Sequence, residues 1–219
     1  MGRTSEIELI LIAYTKVGDS SIVIHTLSRE YGRKSFITSI GKSTSISSFL
    51  PLNILSCKIT ENPKSQLWRA KEIQAITPLS SLRSDLRKNA ITLFLSEVLY
   101  RSLRDGSNEE GLYEWYKKMI YTLDSMQEDF SSFHLWFLLQ YASILGFKAD
   151  DESIAPFAEK HYEDLQKLLH LDFTSFMLYP LTGKERSEIA EILIHYLSYH
   201  LDIRLDIKSL SVLRELFGD

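Results

Sequence analysis

Residues 6–40, EIELILIAYTKVGDSSIVIHTLSREYGRKSFITSI, decide the fold. Ile7, Leu9 and Leu11 alternate along Glu6–Tyr14, the period of two that marks a half-buried strand, and Gly18 and Asp19 supply the turn that ends it. A second strand spans Ser21–Leu27. Tyr31, Gly32 and Arg33 make a tight connection into a third, Lys34–Ile40, where Gly32 can take the positive φ of a hairpin loop and Gly41 closes the strand. The same rhythm continues in Leu52–Thr60 and, after a turn at Asn62 and Pro63, in Gln66–Ile76. Five short strands in so few residues fit a closed barrel better than an open sheet, because closure removes exposed edges. An OB-fold over residues 1–78 is the expectation.

Past Pro78 the apolar period lengthens toward 3.6 and the remaining residues, 79–219, read as an all-α domain, so the chain as a whole is α+β in two domains. In a helix over Ser84–Leu103, residues Leu86, Ala90, Ile91, Phe94, Leu95, Val98 and Leu99 keep one face apolar, with Arg87, Lys88, Glu97 and Arg101 mostly off it. Further helices are expected at 109–126, at 131–145, where the segment is apolar almost all round and ends at Gly146, and at 159–169. Short helices and loops fill the rest of 148–181. Thr182 and Glu185 match a capping box ahead of a strong helix, and a last helix covers 207–217. The short Ser-rich stretch 43–48 reads as a mobile loop.

The net charge of −4 hides a division. Residues 1–88 hold 13 Lys and Arg against 7 Asp and Glu, a net of +6, whereas residues 89–219 come to −10. A basic half beside an acidic half suggests a surface for a polyanion. No apolar run approaches the roughly 20 residues of a membrane span, no signal-peptide pattern opens the chain, and a cytoplasmic protein is expected. Cys57 is the single cysteine, which excludes an internal disulfide and a cysteine-based zinc site.

Catalytic signatures are missing. Gly41-Lys42-Ser43 resembles the end of a phosphate-binding loop, but the loop's first glycine would fall on Phe36 and no apolar-periodic helix follows. The stretch Gly106–Gly111 encloses Asn108, Glu109 and Glu110, the wrong charge for phosphate. Among the histidines, His195 and His200 point apart on a helix, and His134, in the most buried helix, reads as a hydrogen-bonded core residue. The acidic run Asp150, Asp151 and Glu152 reads as a solvated loop or helix start. No enzyme, metal or cofactor is expected. What remains is the basic barrel. Arg29, Arg33, Lys34 and Lys42 bracket its second hairpin, Lys58, Lys64, Arg69 and Lys71 lie on or beside the last two strands, and Arg83, Arg87 and Lys88 open the first helix. Such grooves hold nucleic acid through phosphate contacts, with rings adding stacking; Tyr31, Phe36 and Trp68 are available, each with core packing as its competing role.

The order of several short motifs is similar to the bacterial recombination mediator family RecO. Val17-Gly18-Asp19-Ser20-Ser21-Ile22-Val23, Ser28-Arg29-Glu30-Tyr31-Gly32-Arg33 and Leu50-Pro51-Leu52 resemble its barrel. Leu93-Phe94-Leu95-Ser96-Glu97-Val98-Leu99, Phe133-His134-Leu135-Trp136-Phe137, Leu145-Gly146-Phe147 and Lys208-Ser209-Leu210-Ser211-Val212-Leu213 resemble its helical domain. The resemblance implies binding of single- and double-stranded DNA, strand annealing, and cooperation with RecR and single-strand-binding protein to load RecA, with the helical domain docking the acidic, apolar-ended tail of single-strand-binding protein. It brings no catalytic residues. Many members carry a four-cysteine zinc site where this chain, over about 148–181, has none, and several cations in the loop where this chain offers only Lys42. The competing reading is a protein-only adaptor whose barrel binds a peptide or another subunit.

Overall fold

The computed structural model describes residues 3–40, 46–62, 64, 65 and 67–218. Strands β1 (Thr4–Lys16), β2 (Ser21–Ser28), β3 (Gly32–Ser39), β4 (Ile54–Thr60) and β5 (Trp68–Ala75) close into a barrel in the order β1-β2-β3-β5-β4. Neighbours run antiparallel except β3 and β5, which pair in parallel through Phe36 with Trp68 and Ile37 with Arg69. This is OB-fold connectivity. Closure depends on the length of β1: its N-terminal part, Thr4–Ile10, pairs with β4 and its C-terminal part, Leu9–Lys16, with β2. A register shift between Leu11 and Ala13 bends the strand so that it can serve both neighbours.

Ile7, Leu9, Leu11, Ile22, Ile24, Phe36, Leu55, Cys57, Ile59 and Ala70 fill the barrel. Each fully buried aliphatic side chain among them contributes about 1.5–3 kcal/mol. Phe49 joins this core from a 3-10 turn at Ile46–Phe49, so the expected loop is partly a structural plug; Ser43–Ser45 lie outside the described residues. Burial pushes the Cys57 thiol up to about 12, which leaves it unreactive.

The chain forms two compact units. The first is the barrel with Leu103–Tyr121; the second is Ser81–Ser102 with the residues from Thr122 onward. The change of period near Pro78 locates the end of the strands but gives no sign that the chain comes back. Backbone pairing explains the return: the Arg33 N–H donates to the Ser107 carbonyl at 2.7 Å and the Gly106 N–H to the Arg33 carbonyl at 2.6 Å. Gly32 has the positive φ of +57° expected from its hairpin, and a Cβ there would lie 2.2 Å from the Ser107 oxygen, so glycine serves the close approach as well.

In the helical unit, Asp85 separates a short α1 (Ser80–Ser84), which was not expected, from α2 (Leu86–Ser102), which starts two residues after the expected Ser84. Its carboxylate accepts from the N–H groups of Arg87 (2.8 Å) and Lys88 (3.2 Å) and so caps α2. After α3 (Leu112–Ser125), α4 (Phe133–Ile144) is buried on nearly every side, as its composition predicts, and packs on α8 (Gly183–Leu201). Thr182 and Glu185 form the expected capping box. The last helix, α9 (Ser209–Phe217), lies against α2.

The cysteine-free stretch 148–181 becomes α5 (Asp151–Ala158), a 3-10 turn at Glu159–His161, α6 (Tyr162–His170) and α7 (Phe173–Met177). Asp150 opens α5 through a capping box with Ser153, which places the acidic run at a helix start. Rings and polar links hold the segment. Phe173 meets Trp136 at 5.5 Å and Phe133 at 6.3 Å, Phe176 meets Trp136 at 5.2 Å, and His161 shares a 2.8 Å hydrogen bond with Glu188. With Lys160 and then His161 bonded to it, the Glu188 carboxyl is held down to about 2. Among the described residues, no group of three or more metal-ligating side chains converges on one point.

Candidate nucleic-acid interface

β5 carries the most available charge. Along it Trp68 is half-buried against the barrel core, Arg69 exposed, Ala70 buried and Lys71 exposed, so the two cations share the outward face. Neither has an ion-pair partner among the described residues. At Trp68, on the other face of the strand, Lys34 of β3 places its ammonium 4.3 Å from the centre of the ring, and Tyr31 meets the same ring edge-on at 5.2 Å. The indole N–H donates to the carbonyls of Asn62 (3.1 Å) and Ser65 (3.0 Å), which fixes the ring as a platform. Tyr31 is tied in turn to Glu61 at 3.1 Å. Phe36 is fully buried and belongs to the core alone.

The other candidates divide by burial and partner. Arg29 is exposed but holds Glu114 at 2.5 Å, and Lys58 holds Glu72 at 2.5 Å. Lys64 is exposed, and Lys42 lies outside the described residues. Two expected contacts need correction. Arg33 is 4% exposed, with Nη1 donating to Ser35 at 3.3 Å; it belongs to the join with residues 106–107, and no phosphate can reach it. Lys88 is 1% exposed and donates to Ser81 (2.5 Å) and to the carbonyls of Asp124 (3.3 Å) and Met126. Burial lowers its pKa against the pull of Asp124 and Asp85, while the helix-end carbonyls at 124 and 126 satisfy its charge. Arg83 is half-buried and likewise lowered by burial, and Arg87 is exposed with its guanidinium 5.3 Å from the Phe130 ring. The structure thus leaves Arg69 and Lys71 on the outward face of β5, sets Lys34 against the Trp68 ring, and leaves Arg83, Arg87 and Lys88 on another unit.

Sequence reading also missed how β1 and the hairpin are fastened. Burial would raise the Glu8 carboxyl, but hydrogen bonds from Lys117 at 2.5 Å and from the Tyr113 hydroxyl outweigh it and lower the pKa. On the barrel wall His25 bridges Thr15 and Ser35 at 3.0 Å each, occupying both ring nitrogens; burial and then Arg33 lower its pKa. No sequence motif signals these links, because their partners are separated by strands or by most of a domain. Burial keeps the His134 imidazole neutral, lowered to about 3; as expected of a core histidine, it is hydrogen-bonded, to the Ser131 backbone, and its ring meets Phe94 edge-on at 5.7 Å. No described helix is long and apolar enough to cross a membrane.

A closed five-stranded barrel followed by an all-α part defines the class: an OB-fold protein with a helical C-terminal region. Residues 83–154 match the family model described as Recombination protein O C terminal. A protein of Flavobacterium psychrophilum named DNA repair protein RecO is 30% identical over 95% of this chain and 97% of its own length. Proteins of the same name from Phocaeicola vulgatus and Porphyromonas gingivalis are 28% and 27% identical over the same shares. The chain belongs to the RecO family.

Proposed function

We propose that this chain is a DNA-repair mediator that binds single- and double-stranded DNA through its barrel, anneals complementary strands, and works with RecR, RecA and single-strand-binding protein. It acts without catalysis and without a cofactor, in the cytoplasm at the nucleoid. The observation that carries the reading is β5: Arg69 and Lys71 stand exposed on its outward face with no ion-pair partner among the described residues, and Trp68 on the other face is fixed by two hydrogen bonds and covered by Lys34. Backbone phosphates meet the outward cations, a contact indifferent to base sequence, as annealing requires. The helical unit, acidic in total, serves partner docking rather than DNA. Membership of the family and the names of its relatives support the repair role.

The test is a strand-annealing assay on complementary oligonucleotides, bare and coated with single-strand-binding protein, paired with a binding titration across salt. Annealing in both forms is expected. Affinity for single strands should fall with salt at a log–log slope of about −0.7 per phosphate contacted. A protein that shifts no DNA at low salt yet retains a protein partner would establish the adaptor reading instead.

A further inference from the structure

A bulge in β5 puts a carboxylate among the cations of the barrel's outer wall. The register slips between Ser56 and Lys58 of β4, so that Glu72 and Ile73 together face Cys57, while Lys71 stands directly opposite Lys58 and Arg69 opposite Thr60. Alternation after Lys71 would turn residue 72 inward. The bulge gives that inward place to Ile73, which packs on the barrel core, and leaves Glu72 in water. Glu72 has a φ of +53° and is the only non-glycine residue within a described strand to take the left-handed conformation. Glycine is the usual residue at such a bulge, because a Cβ is strained there. A glutamate kept in its place points to a task for the side chain. That side chain ends 2.5 Å from the ammonium of Lys58.

The two facing lysines show what the carboxylate does in the free protein. Like charges directly opposite each other across a ladder repel, and Glu72 offsets the charge of Lys58 beside Lys71. Glu6 of β1 also faces Lys58 in register, but its carboxylate accepts from the Ser56 hydroxyl at 3.0 Å. With nucleic acid on the wall, a phosphate carries the same charge as Glu72 and suits the same ammonium. We propose that Glu72 is an internal counter-ion that competes with phosphate for Lys58, and that Lys58 joins Arg69 and Lys71 as a DNA contact when Glu72 gives way. Both side chains are about half in solvent, so the exchange needs side-chain rotation alone. Its consequence is a weaker grip and a shallower salt dependence than three free cations would give, which suits a protein that must release the strands it anneals. The inference rests on DNA binding at the outer face of β5.

Titration of a labelled oligothymidine with the full chain, across salt concentrations, reads the outcome. Glu72→Gln keeps the shape of the side chain and removes its charge. It should tighten binding about threefold to fivefold at moderate salt and steepen the log–log slope by about 0.7, the increment of one phosphate. Lys58→Ala alone should weaken binding less than about twofold, because Glu72 already holds the ammonium. Lys58→Ala added to Glu72→Gln should remove most of the gain and all of the added slope. Melting temperatures should be unchanged, since an exposed pair contributes little. A gain that persists undiminished without Lys58 is a general effect of charge and overturns the proposal. So does an affinity that Glu72→Gln leaves unchanged while Arg69→Ala with Lys71→Ala still weakens it. If Arg69→Ala with Lys71→Ala changes nothing either, DNA binds elsewhere, and the reading of β5 falls together with the counter-ion.

Discussion

The outer face of β5 and the start of α2 hold the same kinds of residue and use them in opposite ways. On β5, a period of two sends Trp68 and Ala70 toward the core and Arg69 and Lys71 into water, and the charges stay available. At the start of α2, Arg87 lies over a phenyl ring, Arg83 is half-buried, and Lys88 is drawn inside to close the carbonyls at 124 and 126. A count of cations cannot separate the two. What separates them is the surface on which each stem lies: a strand face is wet or dry by alternation, whereas a helix enclosed on most sides buries even a lysine once helix-end carbonyls can receive its ammonium.

The contrast breaks most visibly at Lys88. Lys88→Ala leaves a hydroxyl and two carbonyls without their donor inside the helical unit and is expected to cost about 2–4 kcal/mol in a denaturant titration. DNA affinity of the folded fraction should stay at the wild-type value. A stable Lys88→Ala protein with lost DNA binding would move Lys88 back to the DNA surface.

The same dry interior predicts a pH dependence that β5 cannot show. His134 is neutral in the folded state, at about 3, while the unfolded imidazole takes a proton near 6.5. A lowered value in the folded state means that the unfolded chain binds the proton first. The stability is therefore fully present above about pH 6.5 and falls by about 1.4 kcal/mol per unit below it. Between pH 6.5 and 5 the loss should approach about 2 kcal/mol, and His134→Gln should flatten that part of the curve. An unchanged slope in the variant would place the titration elsewhere.

The smallest effects compare the two surfaces directly. Arg69→Ala with Lys71→Ala should weaken single-strand binding about tenfold at moderate salt and reduce the salt slope by about 1.4, with stability within about 0.5 kcal/mol of wild type. Arg87→Ala, which loses an exposed cation–ring contact worth about 0.5–1 kcal/mol, should leave DNA affinity within about twofold. Equal losses of affinity in the two variants would erase the distinction.

The barrel was legible because its determinants are local: alternation along each strand, glycine at a hairpin, a turn at residue 62. The caps at Thr182 and at Asp150 were legible for the same reason, each completed within three residues. The short helix at Ser80–Ser84 and the cap at Asp85 went unread, since the expected helix already begins at Ser84. The site was legible only in composition. Arg69, Lys71 and Lys34 lie where alternation put them, but Glu114, which takes Arg29, and Ser107, which takes the backbone of Arg33, come from residues more than seventy positions away. Likewise Lys88 and Leu86 exchange the expected inside and outside because α2 is enclosed by elements that its own sequence does not contain.

The backbone join between Arg33 and residues 106–107 has a consequence for how the chain comes into being. A ribosome delivers the five strands first, then α2, and only afterwards the segment that covers β3 and occupies the space above Gly32. The first unit therefore stays unfinished while the central helix of the second is already being made, and the two cannot mature strictly one after the other. Contacts across so many intervening residues slow folding and leave the hairpin exposed to wrong pairings in the interval. A nascent chain halted before residue 103 would carry five strands but an incompletely sealed barrel, the kind of intermediate that chaperones exist to hold.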